Sequence, residues 1–184
     1  MIRCDIKDGC HNNSFIWVSD ERKLLWYEIP KNASTSIKSQ IKDFKRVDEY
    51  ISEYDSYFKF CVVRNPWDRM ASNWRMYCYT QSKGDVIKDI FNVQDKRLTF
   101  KDFIMKSIEM RNHHWESQYK FIGKIDKFFK LEEFNGSEVG LTIPKMNSTN
   151  KKHYMDYYND ELIEIVTNEY KKDIEIFGYE LHKG

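Results

Sequence analysis

Short apolar runs alternate along the chain with apolar residues at helical spacing. Ile37, Ile41 and Phe44 recur at i, i+4 and i+7, which predicts a helix over about 34–45. The charged, tyrosine-containing segment that follows predicts a connection that is partly helical. Four apolar runs predict strands, the last three of them buried: 14–19, 23–29, 58–64 and 127–131.

Capping residues indicate where further helices begin and end. Asn65 followed by Pro66 predicts one helix start, and Thr99 and Asn159 predict two more. Gly178 is expected to end the last helix. Strands that alternate with helices are typical of an α/β layer fold with a mainly parallel sheet.

The bulk composition narrows the classes of partner. Lys and Arg number 30 against 29 Asp and Glu, a formal charge of +1, so we expect no nucleic-acid partner. The four cysteines form no C-x-x-C pair and no cluster of metal ligands is visible, which predicts reduced thiols and no metal. No stretch approaches transmembrane length, and we expect a cytoplasmic protein without a membrane anchor. A length of 184 residues predicts a single domain, 1–184.

The turn 30–36, Pro-Lys-Asn-Ala-Ser-Thr-Ser, joins a predicted strand to a predicted helix. A helix start carries unpaired backbone N–H groups and partial positive charge, which suits a phosphate group. Lys31 adds a cation, while Ser34, Thr35 and Ser36 add hydroxyl donors. The alternative is that these hydroxyl residues only cap the helix.

A second stretch, 64–72, follows the next buried strand. Ligands of open α/β sheets bind outside the carboxyl ends of the strands. Arg64 at that end and Ser72, about two helical turns on, could hold a second phosphate group. The alternative is an ion-paired Arg64 and a solvated Ser72. Both stretches are expected at one sheet edge, which suggests a ligand with two separated phosphate groups.

The two stretches, in this order, resemble motifs of the sulfotransferases that use 3′-phosphoadenosine 5′-phosphosulfate (PAPS). The first resembles their 5′-phosphosulfate loop and the second their 3′-phosphate motif. The likeness is to the carbohydrate-type enzymes of family 2, including small bacterial and phage members, and it covers about 24–180. Weaker matches continue it: 114–118 (H-W-E-S-Q, with Ser117 where proline is usual), 128–133, 157–162 and 173–179.

The resemblance implies a P-loop-like three-layer fold, with a mainly parallel central sheet flanked by helices. It implies transfer of a sulfuryl group from PAPS to a hydroxyl of a small molecule or glycan, leaving 3′-phosphoadenosine 5′-phosphate (PAP), without a metal. Arg64 and Ser72 would hold the 3′-phosphate, and the Lys31 ammonium would stabilise charge that grows on the bridging oxygen. The 5′-phosphosulfate would be held within the loop residues Lys31, Asn32, Ala33, Ser34, Thr35 and Ser36.

Such a reaction also needs a general base, which the sequence indicates less clearly than the phosphate motifs. Related enzymes usually supply a His or Glu between the two phosphate motifs, and this chain has no histidine between Ser36 and Arg64. Glu49 is our candidate, and His114 is the other. Carboxylates are present in that interval, among them Asp48, Glu49, Glu53 and Asp55.

The acceptor site is expected to be shaped by 80–125. Trp115, Tyr77 and Tyr79 are candidates for stacking on a sugar ring, although they could equally belong to the core. Lys151 and Lys152 lie in a polar loop that could contact cofactor or substrate, or form a solvated turn.

Two other function classes stay open. A P-loop kinase would need G-x-x-x-x-G-K-[ST] and a carboxylate for Mg²⁺, but this turn has no glycine and the next strand ends in Arg64. A binding module that kept the nucleotide pocket and lost the base is the second alternative. The expected lack of a membrane anchor would depart from the animal Golgi members and suggests a microbial or viral origin.

Overall fold

The computed structural model describes residues 15–79, 89–92, 97–143 and 152–181. The chain divides into two compact units, the first formed by Met1–Arg64 with Ser117–Ser148 and the second by Asn65–Glu116 with Thr149–Gly184. A single domain over 1–184 stays a prediction. The features predicted for 1–14, for most of 80–96 and for 144–151, including Lys151, lie outside the described residues.

The first unit holds a five-stranded sheet with the order β3-β1-β2-β4-β5. β2, β4 and β5 pair in parallel, whereas β1 is antiparallel to both β2 and β3. All strands except β1 therefore run in one direction, and the predicted α/β class with a mainly parallel sheet is confirmed. The strands are β1 (Ile16–Ser19), β2 (Leu24–Tyr27), β3 (Lys45–Val47), β4 (Phe58–Val63) and β5 (Lys127–Lys130).

Strand β3 was not predicted from the sequence. Its residues Lys45 and Arg46 are exposed and only Val47 is half-buried. It pairs with β1 at the sheet edge through backbone hydrogen bonds, which any residue type can make. An edge strand of this kind leaves no run of apolar residues to detect. Part of the connection after it is helical, as predicted, in a short 3₁₀ helix at Ser52–Ser56.

Helix α1 (Ser34–Lys38) is shorter than the predicted 34–45. The chain leaves the helix after Lys38 because it must turn to start β3 at Lys45. Ile37, Ile41 and Phe44, whose spacing gave the prediction, are nevertheless all buried. Turns after the helix therefore place the same apolar side chains in the core that a longer helix would have placed there.

The hydrophobic core of the first unit packs α1 on one face of the sheet. Trp26 and Phe60 are register partners on β2 and β4, and Val62 is paired with Phe129 on β5. Side chains at alternate strand positions share a face, so these residues form one apolar layer under the helix. The buried cluster comprises Trp26, Ile37, Ile41, Phe44, Phe60, Val62, Phe129, Phe134, Val139, Leu141 and Ile143.

The second unit is helical in its described part. Each predicted cap is confirmed: Asn65 Oδ1 accepts from the N–H of Trp67 at 3.0 Å, and Thr99 and Asn159 likewise accept at the starts of their helices. The predicted last helix is interrupted at Tyr170, and Gly178 ends it in the left-handed conformation. The helices are α2 (Pro66–Trp74), continued by a π-helical turn at Arg75–Tyr79, α3 (Phe100–Glu109), α4 (Asp160–Glu169) and α5 (Lys171–Phe177).

The helices and the cysteines of the described residues bear on two further predictions. None of the helices within them has the length and apolar character needed to cross a membrane. Cys61 and Cys78 are buried free thiols, while Cys4 and Cys10 lie outside the described residues. Buried thiols of this kind behave as small apolar side chains.

Asp43, between α1 and β3, should make stability depend on pH. Ser19 Oγ donates to its carboxylate at 2.7 Å and Arg22 Nε lies 2.9 Å from it. Burial alone would raise the pKa of Asp43, but these partners outweigh burial and lower it. A lowered pKa stabilises the fold above the unfolded-state pKa, and that contribution is lost as the pH falls through the folded-state value.

We therefore expect Asp43→Asn to unfold at lower urea concentration than the wild type near neutral pH. The difference in free energy of unfolding should shrink as the pH falls below about 4, where the wild-type carboxylate becomes protonated. Urea titrations at a series of pH values measure this. A constant difference across the series would show that the Asp43 charge contributes nothing.

Candidate active site

The turn 30–36 leads from the end of β2 into α1 with an unusual backbone. Lys31 and Ala33 both have positive φ, at 74° and 61°. Ala33 is the N-cap of α1 and makes no side-chain cap bond, while the Ser34 hydroxyl donates to the Ile29 carbonyl at 3.1 Å. The alternative that a hydroxyl side chain at the N-cap starts this helix is therefore wrong, because the N-cap is an alanine.

Positive φ at a residue other than glycine costs about 1–2 kcal/mol, and such strain collects at functional sites when the surroundings hold it in place. The turn has no glycine to relieve it. Its backbone is held by hydrogen bonds on both sides, including the Asn32 N–H to the Ile29 carbonyl at 3.3 Å and the Ile37 N–H to the Ala33 carbonyl at 3.0 Å. The sequence therefore forms a left-handed strand-to-helix turn without glycine.

The Asn32 side chain points into the protein and is 1% exposed. Its Nδ2 donates to the Val62 carbonyl at 2.8 Å and to Gln118 Oε1 at 2.7 Å. Among the predicted loop residues, Asn32 thus uses its amide donors to attach the turn to β4. Its predicted contact with the cofactor stays a prediction.

Gln118 is a buried residue whose contacts were not predicted from the sequence. Its Oε1 accepts from the Arg64 N–H at 2.9 Å, and its Nε2 donates to the Arg64 carbonyl at 2.8 Å. The only sequence signal was its position at the end of the H-W-E-S-Q match. Without the structure, nothing linked that segment to Arg64, which lies 54 positions earlier in the chain.

Arg64 and Lys31 are brought together at one edge of the sheet. Arg64 follows β4 and Lys31 follows β2, and these two strands are parallel neighbours. Arg64 Nη1 donates to the Lys31 carbonyl at 3.1 Å, and both side chains belong to half-buried residues. The structure therefore places two cationic residues side by side at one sheet edge, where both stretches were expected.

A buried carboxylate lies just before the turn. Glu28 is 6% exposed and accepts from Trp17 Nε1 at 2.7 Å, while its other oxygen is 2.7 Å from Lys38 Nζ at the end of α1. Since both carboxylate oxygens of Glu28 have partners within the fold, this residue connects α1 to the sheet. We therefore do not place it among the candidate bases.

Glu49, the candidate base, is exposed and follows the carboxyl end of β3. β3 runs parallel to β2 and is separated from it by β1, so the carboxyl ends of these two strands lie at the same sheet edge, two strand spacings or roughly 10 Å apart. Asp55 is a poorer candidate, because hydrogen bonds from Tyr50 and Lys124 lower its pKa. The assignment of the general base to Glu49 stays a prediction.

Ser72 and His114 belong to the second unit. Ser72 is half-buried on α2, one turn from the buried Arg69 and next to the buried Asn73. The His114 carbonyl accepts from Asn73 Nδ2 at 3.0 Å. The centroid of the His114 ring lies 5.3 Å from that of the Tyr77 ring. Their predicted roles stay predictions.

The aromatic residues proposed for sugar stacking separate into two groups. Trp115 and Tyr77 are at most 1% exposed, and Trp115 packs on Phe91 and Phe103. They are core residues, so stacking on a sugar is excluded for them in this structure. Tyr79 is 68% exposed. Lys152 is exposed, and its carbonyl accepts from Arg75 at 2.9 Å.

Comparison with known proteins identifies the family. The model of the sulfotransferase family matches residues 38–136, more than half of the 184-residue chain. The matched range contains Arg64, Ser72 and Gln118 and begins just after the turn 30–36. No curated protein and no solved structure matches the chain. Because the family model covers most of the sheet and the Arg64 motif, the chain belongs to the sulfotransferase family.

Proposed function

We propose that this sulfotransferase takes the sulfuryl group from PAPS and transfers it to a hydroxyl of a carbohydrate, leaving PAP. The observation that supports this donor most directly is the 3.1 Å hydrogen bond between Arg64 Nη1 and the Lys31 carbonyl. It keeps two cationic residues at one sheet edge, and a donor with separate 3′- and 5′-phosphate groups needs two such residues. The likeness of both motifs to the carbohydrate-type enzymes supports the acceptor.

The residues at this edge fit PAPS in their chemistry. The turn 30–36 offers the Lys31 ammonium and the exposed Thr35 hydroxyl to the 5′ end. Arg64 offers a planar guanidinium, which can pair with two phosphate oxygens, to the 3′ end. Ser34 already donates its hydroxyl to Ile29, so it would have to rotate before it could donate to the donor molecule.

The proposed reaction assigns one task to each group. PAPS supplies the sulfuryl group together with a phosphate leaving group. Lys31 stabilises the negative charge that grows on the leaving oxygen, an interaction that strengthens in the transition state. Arg64 binds the 3′-phosphate and thereby orients the donor. Glu49 accepts the proton of the acceptor hydroxyl as general base.

The proposal is tested by combining a turnover assay with calorimetry. Incubation with PAPS and a mixture of glycans should release PAP only when an acceptor is present, and PAP should bind more tightly than ATP with Mg²⁺. Binding of PAP without turnover on any acceptor would indicate a nucleotide-binding module. Tighter binding of ATP would contradict the donor assignment and favour a kinase.

The Glu49 assignment gives a prediction of its own. Glu49→Gln keeps the size of the side chain and removes its ability to accept a proton. We expect turnover to fall about 10²- to 10⁴-fold, the range typical of general bases, with little change in PAP affinity. Initial rates with saturating PAPS, and calorimetry with PAP, measure the two quantities.

Asp48→Asn is the matched control, because Asp48 is the adjacent exposed carboxylate. It should retain wild-type turnover. If His114→Ala lowers turnover while Glu49→Gln does not, the base assignment to Glu49 is wrong and His114 takes its place.

A further inference from the structure

Two buried amides connect the turn 30–36 to the end of β4. Gln118 is 0% exposed and Asn32 is 1% exposed. Gln118 pairs with both the N–H and the carbonyl of Arg64, and its Oε1 also accepts from Asn32 Nδ2. Asn32 Nδ2 in turn donates to Val62, on β4. Four hydrogen bonds of 2.7 to 2.9 Å therefore join the two stretches that carry Lys31 and Arg64.

The orientation of both amides is determined by their backbone partners. The Val62 carbonyl can only accept, so the Asn32 atom that faces it is nitrogen. The Arg64 N–H can only donate and the Arg64 carbonyl can only accept, so Gln118 must present its oxygen to the first and its nitrogen to the second. The network therefore has one consistent arrangement.

Gln118 acts on Arg64 as a neighbouring strand would. Arg64 lies just beyond Val63, the last residue of β4, where the sheet ladder ends. By pairing with both backbone groups of Arg64, the Gln118 amide extends the hydrogen-bonded ladder of β4 by one residue. The Arg64 side chain extends from this hydrogen-bonded backbone, and its guanidinium donates to the Lys31 carbonyl.

We propose that Gln118 is a positioning residue that sets Arg64 for the 3′-phosphate and, through Asn32, couples this site to the 5′ site on the turn. The proposal rests on the function proposed above. Gln118 has no direct contact with the donor in this account. Its effect on donor binding passes through the backbone of Arg64 and should be specific to the 3′-phosphate.

The segment that carries Gln118 has other attachments to the first unit. Ile122 is 3% exposed, and the ring of Phe121 packs edge-to-face on that of Phe15 at 5.7 Å. A Cβ atom added at Gly123 would lie 2.6 Å from the Tyr27 hydroxyl, so this segment lies directly against the end of β2. These contacts should hold the segment in place when the amide of Gln118 is removed.

The test compares the affinity for PAP with the affinity for adenosine 5′-monophosphate (AMP), which lacks the 3′-phosphate. Gln118→Leu removes the amide and keeps much of the side-chain volume. We expect it to lose about tenfold in PAP affinity, with a much smaller loss for AMP, so that the preference for PAP falls. A purely structural loss of the turn would instead weaken both ligands equally.

Gln40→Leu is the matched control. The Gln40 amide also pairs with both backbone groups of one residue, Thr142, in the same unit. It has no bond to Arg64 or Asn32, so its loss should lower thermal stability and leave the ratio of PAP to AMP affinity unchanged. If Gln118→Leu does not fold, Gln118→Glu keeps the acceptor oxygen, loses the donor to the Arg64 carbonyl and should reduce the same ratio.

Different results would overturn the proposed donor and the proposed role of Gln118. Wild-type protein that does not bind PAP more tightly than AMP would overturn the proposed donor. Wild-type protein that prefers PAP, together with a Gln118 variant that keeps the full preference, would overturn the positioning role alone. Equal losses for PAP and AMP in the Gln118 variant would overturn it too.

Discussion

Replacing Lys31 with alanine is expected to lower turnover about 10²- to 10³-fold while the affinity for PAP falls much less. Removal of one group that stabilises developing negative charge has an effect of this size, because the interaction is strongest in the transition state. Lys31 has a positive φ of 74°. Alanine has no easier access to that conformation than lysine, so the substitution changes the charge and leaves the backbone strain in place.

Turnover with saturating PAPS and calorimetry with PAP separate the two effects. Lys42→Ala, at an exposed lysine beyond α1 in the same unit, serves as control and should keep wild-type turnover. A Lys31→Ala enzyme as active as the wild type would exclude the leaving-group role. Unchanged turnover at saturating PAPS together with weaker PAP binding would show that Lys31 binds the ground state and the transition state equally.

The second large effect is expected for Arg64→Ala, which should weaken PAP binding by about 1.5–3 kcal/mol, or about 10- to 150-fold. The loss corresponds to a charge-assisted hydrogen bond to the 3′-phosphate. The substitution also removes the bond from Nη1 to the Lys31 carbonyl. A smaller loss should therefore be seen for AMP as well, because the turn loses one attachment.

Calorimetric titrations with PAP and AMP measure both losses. Arg22→Ala is a suitable control, since Arg22 is an exposed arginine of the first unit that bonds to Asp43 and to the Gly140 carbonyl. It should not change either affinity. Unchanged PAP affinity in Arg64→Ala would contradict the assignment of the 3′-phosphate to this residue.

Features with a local signal were predictable from the sequence. The apolar runs that became β2, β4 and β5 follow from burial on the sheet. The caps at Asn65, Thr99 and Asn159 follow from a side chain that bonds two or three residues on. Since both residues follow buried strands of a mainly parallel sheet, Lys31 and Arg64 were expected at one sheet edge. The direct pairing of β2 with β4 is seen only in the structure.

Features that depend on contacts between distant positions were not predictable in this way. β3 is made by backbone pairing at an edge, and its exposed side chains carry no pattern. Gln118 and Asn32 are polar residues whose burial becomes favourable only because each finds hydrogen-bond partners far along the chain. In a single sequence, such residues look like ordinary surface amides.

The positive φ angles at Lys31 and Ala33 were likewise not predictable from the sequence. Glycine is the usual sign of a left-handed turn, and its absence here counted against a P-loop. The surrounding hydrogen bonds, including the two made by the Asn32 amide, hold the turn without it. The turn is therefore specified by the packing around it rather than by its own composition.

A crystal structure of the protein with PAP is the most direct measurement of the central assignment. The 5′-phosphate should lie within hydrogen-bond distance of Lys31 Nζ and the hydroxyl groups of the turn, and the 3′-phosphate should pair with the guanidinium of Arg64. A PAP molecule bound away from this sheet edge, or one whose 3′-phosphate has no contact with Arg64, would contradict the account.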